Sequence, residues 1–121
     1  MHKILNKADA IILVVLNTII YLLQHNNLLN YFYKEFDRKP SSVCTYSVGD
    51  FAGVRVQGPL RTLLAQLGSP PIKFGMYQGK VSKSLNEKGE ANDPEETEER
   101  FNLFFKELVW YARALKVSRK V

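Results

Sequence analysis

Two apolar runs rich in β-branched residues and a shorter third strand candidate, alternating with segments of helical patterning, constrain the fold of this 121-residue chain more than any other feature. Strands that alternate with helices pair in parallel through crossovers, and the sheet they build carries helices on its faces. The first run, Ala8–Leu16, reads ADAIILVVL, a continuous apolar stretch that suits a strand buried on both faces. From Leu22 to Phe36 the residues Leu28, Leu29, Phe32 and Phe36 recur at helical spacing, which predicts a helix ending before Pro40. A second strand is expected over Ser42–Tyr46, followed by a turn-prone stretch from Ser47 to Gly53.

Val54–Leu67 carries an amphipathic stripe (Val56, Leu60, Leu63, Leu64, Leu67), with Gly68 as its C-cap. Pro59 within it implies that the helix begins near that residue or is kinked there. Ile72–Met76 is expected to be a short third strand, with a polar, Gly-punctuated connection to about Asn92. In the last helix Asp93 is the expected cap and Pro94 stands in the first turn. Glu95, Glu96, Glu98 and Glu99 lie at its positive end, and Phe101, Phe104, Phe105, Leu108, Tyr111, Ala112 and Leu115 form one apolar face. Nothing in this order suggests repeats or a linker, so the expectation is one α/β domain over residues 1–121. In such sheets ligands bind beyond the carboxyl ends of the strands, here after Leu16, Tyr46 and Met76.

Composition narrows the function classes. The formal charge is +5, but the seventeen Lys and Arg residues do not cluster; the densest basic stretch is Lys116, Arg119 and Lys120, where cations complement a helix C-terminus. With no basic stripe, interleaved aromatics or recognition helix, no nucleic-acid partner is expected. Cys44 is the lone cysteine, so no intrachain disulfide is possible; a reducing, cytoplasmic setting and a buried apolar role fit it best. Ala10–Leu23 is strongly apolar, but its fourteen residues include Asn17 and Thr18. A spanning helix needs about 20 apolar residues. Lys3 and Lys7 offer a basic region for a signal peptide, yet no small-residue cleavage site follows. No metal-ligand spacing occurs, His2 and His25 are isolated, and Glu95–Glu99 reads as a solvated first turn, so no catalytic acid, base or nucleophile is assigned.

The segment Val43–Leu67, VCTYSVGDFAGVRVQGPLRTLLAQL, resembles the stretch of NAD(P)H-dependent FMN reductases and related quinone reductases and azoreductases in which a buried strand enters a Tyr-Ser-x-Gly-x-x-x-Gly-x-Arg turn and a Leu-rich helix. Tyr33–Pro40 is similar to the family's Leu-Tyr-x-Glu-Trp passage that ends in Lys-Pro, and Ala8-Asp9-Ala10 to the Ala-Asp-Gly opening its third strand. Leu85–Gly89 and Glu107–Ala112 resemble its final loop and helix, so the likeness covers nearly the whole chain.

The resemblance implies a flavodoxin-like, three-layer α/β/α fold with a parallel sheet, of which about three strands and three helices are kept. It further implies FMN as cofactor, NAD(P)H as co-substrate, and a quinone, azo compound or flavin as acceptor. The turn from Tyr46 to Gly53 would lie against the pyrimidine side of the flavin ring, through Tyr46, Ser47, Val48, Gly49 and Gly53. Glycines there permit both the turn and the close approach of backbone N–H donors to ring carbonyls, although a tight strand-to-helix connection alone would read the same way. Arg55 is a cofactor contact or a solvated residue near a helix start.

Two departures from the family bear on activity. The first strand here resembles the third of the parent fold, so the first two strands and the Gly-Ser-x-Arg loop that grips the FMN phosphate have no counterpart. Charge-assisted hydrogen bonds of that kind are worth roughly 1.5–3 kcal/mol each, and affinity should fall accordingly. Where the family has Pro-Glu-Tyr-Asn, then Pro-Gly and a Leu-Lys-Asn helix start, the chain reads Val15 to Asn27, in which Asn17 or Thr18 holds part of the register and Asn27 matches the helix Asn. In the parent strand order 2-1-3-4-5, loss of the first two strands leaves Ala10–Leu16 as a bare edge, which predicts self-association or a partner chain. The alternative to an oxidoreductase is a non-catalytic remnant or interaction module.

Overall fold

The structure, a computed structural model, describes residues 1–16 and 31–120. The chain is a mixed α/β protein built on an open, all-parallel sheet of three strands in the order β1-β2-β3. In chain order the elements are α1 (His2–Lys7), β1 (Ile11–Leu16), α2 (Tyr33–Phe36), β2 (Ser41–Tyr46), α3 (Val54–Gln66), β3 (Met76–Gln78), α4 (Val81–Ser84) and α5 (Pro94–Arg119). Ile11–Leu16 runs in register with Ser41–Tyr46, and Cys44–Tyr46 with Met76–Gln78.

The core divides between the two faces of β2, because successive strand residues point to opposite sides. Val43 joins Ile11, Val15, Phe36, Val56, Leu60, Leu64 and Leu67 in one cluster. Cys44 packs instead against the cluster of Ile72, Phe104 and Leu108. Leu60 and Leu64 are fully enclosed. Burial of a leucine side chain is worth about 1.5–3 kcal/mol, so α3 owes its place to this stripe.

Both ends of α3 are shaped by glycine. It starts on Gly53, whose φ of 76° lies in the left-handed region. At its other end Gly68, with φ also 76°, sits past the cap while its N–H donates to the Ala65 carbonyl and that of Ser69 to Leu64. This crossed pair of bonds satisfies carbonyls that a helix end otherwise strands. Ser69 Oγ then donates to the Lys39 carbonyl at 2.7 Å and Ser41 Oγ to Ser69 at 3.0 Å, which ties the helix exit to the start of β2.

Several expectations need correction. β1 is buried on one face only: Ile12 and Val14 are 41% and 63% exposed on the other. α3 begins at Val54, where the amphipathic segment starts, so of the two readings of Pro59 a helix start near it is excluded and Pro59 lies five residues inside. Pro59 and its neighbour Gly58 face solvent. The third strand pairs over Met76–Gln78 instead of Ile72–Met76. Pro71 and Ile72 bridge to Ser41, but at the next step Gln57 Nε2 donates to the Val43 carbonyl at 2.9 Å, an acceptor that a strand N–H would otherwise use. Gly75 passes so close that a Cβ would lie 2.7 Å from that carbonyl, and regular pairing resumes only at Met76. Of the expected helix over Leu22–Phe36, Tyr33–Phe36 is helical, and residues 22–30 lie outside the described residues. The α1 helix had no counterpart in the sequence reading.

Helix α5 follows its capping signals closely. Asp93 Oδ1 accepts from the Glu96 N–H at 3.1 Å and Pro94 occupies the first helical position. Near its far end Lys116 and Arg119 bind the Asp9 carboxylate at 2.7 and 2.8 Å. Among the described residues no helix is long and apolar enough to cross a membrane.

Candidate functional site at the strand ends

Because the strands are parallel, Leu16, Tyr46 and Gln78 come side by side at one edge of the sheet. Peptide dipoles and loop room make that edge the usual ligand site of open α/β sheets. A cleft of about 350 Å³ opens there. Val14, Cys44 and Met76 form its floor, one from each strand, Val81 and Leu85 close it from the α4 side, and Tyr46 and Gln78 stand at the carboxyl end. Its volume falls in the range of small-molecule sites, roughly 300–1,000 Å³, and apolar walls with a few polar groups at the rim are the common pattern.

The turn between β2 and α3 leaves the cleft at Tyr46 and is held from two directions. Ser47 is buried; its N–H donates to Gln78 at 2.9 Å, its carbonyl accepts from Val81 at 3.0 Å, and its hydroxyl donates to the Gly49 carbonyl at 2.9 Å. The Lys80 N–H also reaches Gly49, at 2.9 Å, while Thr45 Oγ1 donates to Ala52 at 2.7 Å. Carbonyls are thus drawn inward on protein donors. Among the described residues, none of the backbone N–H groups from Val48 to Gly53 donates a hydrogen bond. A row of amides without internal acceptors, in a turn that starts from the cleft residue Tyr46, can receive the carbonyl or imide edge of a planar ring that extends from the cleft.

Of the residues singled out in the sequence, Tyr46, Ser47, Val48, Gly49 and Gly53 fall together on the strand end and turn. Val48 and Gly49 are exposed and Gly53 is buried at the helix start. A Cβ on Gly49 would meet nothing within 4 Å, so its room is toward solvent and any ligand there. Arg55 is exposed, its guanidinium 5.9 Å above the Phe51 ring, which engages it without committing it to the cleft. Asn17 lies outside the described residues.

Three contributors were not foreseen. Val81 and Leu85 supply a wall of the cleft, and Gly79 lets the turn approach, since a Cβ there would lie 2.9 Å from the Asp50 carbonyl. Gly79, directly after Gln78, is the signal in the sequence, but a third strand over Ile72–Met76 ends short of it. Cys44 is half-buried in the floor, and burial raises its thiol pKa, partly offset by a hydrogen bond from the Met76 backbone. It therefore stays protonated near neutrality and acts as apolar lining. Among the described residues no group of three or more His, Cys, Asp or Glu side chains is placed to hold a metal ion.

Compared with known protein families and characterised proteins, the chain matches none.

Proposed function

We propose that this chain is a flavodoxin-like half-domain of the NAD(P)H-dependent FMN reductase type, a partial three-layer α/β/α unit that receives the isoalloxazine ring of FMN at its strand ends. The observation that carries the reading is the apolar cleft at the carboxyl ends of three parallel strands, joined at Tyr46 to the turn whose amides from Val48 to Gly53 donate nowhere among the described residues. Those features fit the ring end of the cofactor. When bound, FMN would accept hydride from NAD(P)H and pass electrons to a quinone, azo compound or flavin. The chain's own part is to bind and orient. Val14, Met76 and Leu85 would exclude water from one ring face, and the turn amides would fix the pyrimidine edge. A reducing, cytoplasmic setting suits the lone Cys44 thiol.

Labelling of Cys44 tests this directly, because the thiol lies in the cleft floor. Riboflavin and FMN should slow its reaction with a maleimide equally, since the fit is to the shared ring. Unchanged labelling at saturating flavin would sink the proposal.

A second reading, an interaction module without redox activity, draws on β1. Its exposed Ile12 and Val14 lie on the edge strand of the three-stranded sheet, a surface that invites pairing with a second copy or another chain. Light scattering of the wild type and an Ile12→Lys variant, a change outside the cleft, separates the two: an oligomer lost in the variant, with no flavin bound by the wild type, would favour the module.

A further inference from the structure

We infer that the outer face of α5 is a self-complementary interface that pairs with α5 of a second copy of this chain, antiparallel, about a two-fold axis. Twenty-six residues make this helix about 39 Å long, yet it fully buries only Phe104 and Leu108 against the sheet. Its opposite side is not the polar surface that a solvated helix presents. Phe105 is 47% and Trp110 64% exposed, and together with Val109 they line a groove at the middle of the helix.

Apart from Lys106, a cation that lines the groove beside Phe105, the charges on this side are sorted by position. Glu95, Glu98 and Glu99 flank the groove on the N-terminal side, whereas Arg113 lines it and Lys120 follows on the C-terminal side. Among the described residues none of these five forms an ion pair, although Lys116 and Arg119 nearby are engaged by Asp9. A parallel pairing would set like charges together. An antiparallel pairing centred between Phe105 and Trp110 sets the acidic third of each helix on the basic third of the other, twice over by symmetry, and opposes the helix dipoles favourably. The aromatic centre then meets its own copy, with apolar area removed from water in the middle and charge pairs at both rims. That occupant is indicated by the charge pattern itself: a different protein would need to reproduce the reversed sequence of charges that the second copy already has.

The test uses full-length chain in sedimentation equilibrium, with the emission of Trp110, the sole tryptophan, as a second readout. The wild type should dimerise, with a concentration-dependent blue shift, and weaken as NaCl is raised. Glu95→Lys/Glu98→Lys/Glu99→Lys and Arg113→Glu/Lys120→Glu should each weaken dimerisation by about tenfold or more, since several rim pairs turn repulsive together. Mixing these two variants should restore a heterodimer and the blue shift, which no misfolded variant would do. Trp110→Ala, a change at an exposed site, should also weaken the dimer while helicity by circular dichroism is retained. A monomeric wild type at several times the concentration giving the blue shift, variants that dimerise as tightly as wild type, or a mixture that stays monomeric would overturn the inference. Ile12→Lys should leave this dimer intact; its loss in that variant would assign the interface to the sheet edge instead.

Discussion

Gly49 and Gly53 have the same chemistry in the sequence and opposite roles in the structure, and alanine or valine at each separates a ligand-facing turn from a tight connection. Gly53 has φ 76° and ψ 19°, so a Cβ there meets the left-handed penalty of about 1–2 kcal/mol. For a chain of this length that is a fall in Tm of roughly 3–10 °C. Gly49 lies outside the left-handed region, and an added Cβ would meet nothing within 4 Å. Gly49→Ala should therefore leave stability unchanged or raise it by about 0.4–1 kcal/mol, through the unfolded chain. Gly49→Val should also fold. If a ring carbonyl must come within about 2.9 Å of these amides, the valine methyls occupy the space it needs. The expected result, from thermal melts and flavin fluorescence run in parallel, is a Gly49→Val protein with wild-type Tm and at least ~10-fold weaker flavin binding, a loss of about 1.4 kcal/mol. Undiminished flavin binding by Gly49→Val would refute the reasoning, and so would a large loss of stability.

Leu60→Ala removes a side chain with no exposure from the cluster that seats α3 on the sheet. Urea unfolding should show a loss of about 2–5 kcal/mol, and a loss below about 1 kcal/mol would mean that α3 is not packed as described. Asp9 is held below the ordinary carboxylate range, first by its hydrogen bond from Lys116, which burial next opposes, and then by the charges of Lys116, Arg119 and Lys39. A depressed folded-state pKa means that its stabilisation is fully present above the unfolded value near pH 4 and is lost as pH falls through the folded value. The Tm difference between wild type and Asp9→Asn should thus be constant from about pH 8 to 5, shrink below about pH 4, and diminish in high salt because the site is partly exposed. A difference that grows toward low pH would contradict the assignment.

The parts of the fold that were legible are those decided locally. Asp93 and Pro94 announce the start of α5, Gly68 the end of α3, and the β-branched run at Ser42–Tyr46 the central strand, because caps and propensities act over a few residues. What depends on distant neighbours was not legible. The apolar letters of Ile12 and Val14 are the same whether or not another element covers them, and the helix register of Phe101 and Phe105 does not say that the sheet is too narrow to cover them. At the late start of β3 it is Gln57, fifteen residues or more upstream of the expected strand, that occupies the Val43 carbonyl. Its Oε1 is left buried without a partner, a strain that no local pattern encodes. The candidate site divides in the same way: the turn from Tyr46 to Gly53 reads from its glycines, whereas Val81, Leu85 and Gly79 join it only once the third strand ends at Gln78.

Titration of the purified, folded chain into FMN, followed by quenching of flavin fluorescence, tests the central claim most directly. The proposed site predicts saturable binding, with riboflavin quenched at similar concentrations because the ring is what the cleft and turn receive. An absence of saturable quenching with either flavin, from a sample whose circular dichroism shows the α/β fold, would contradict it.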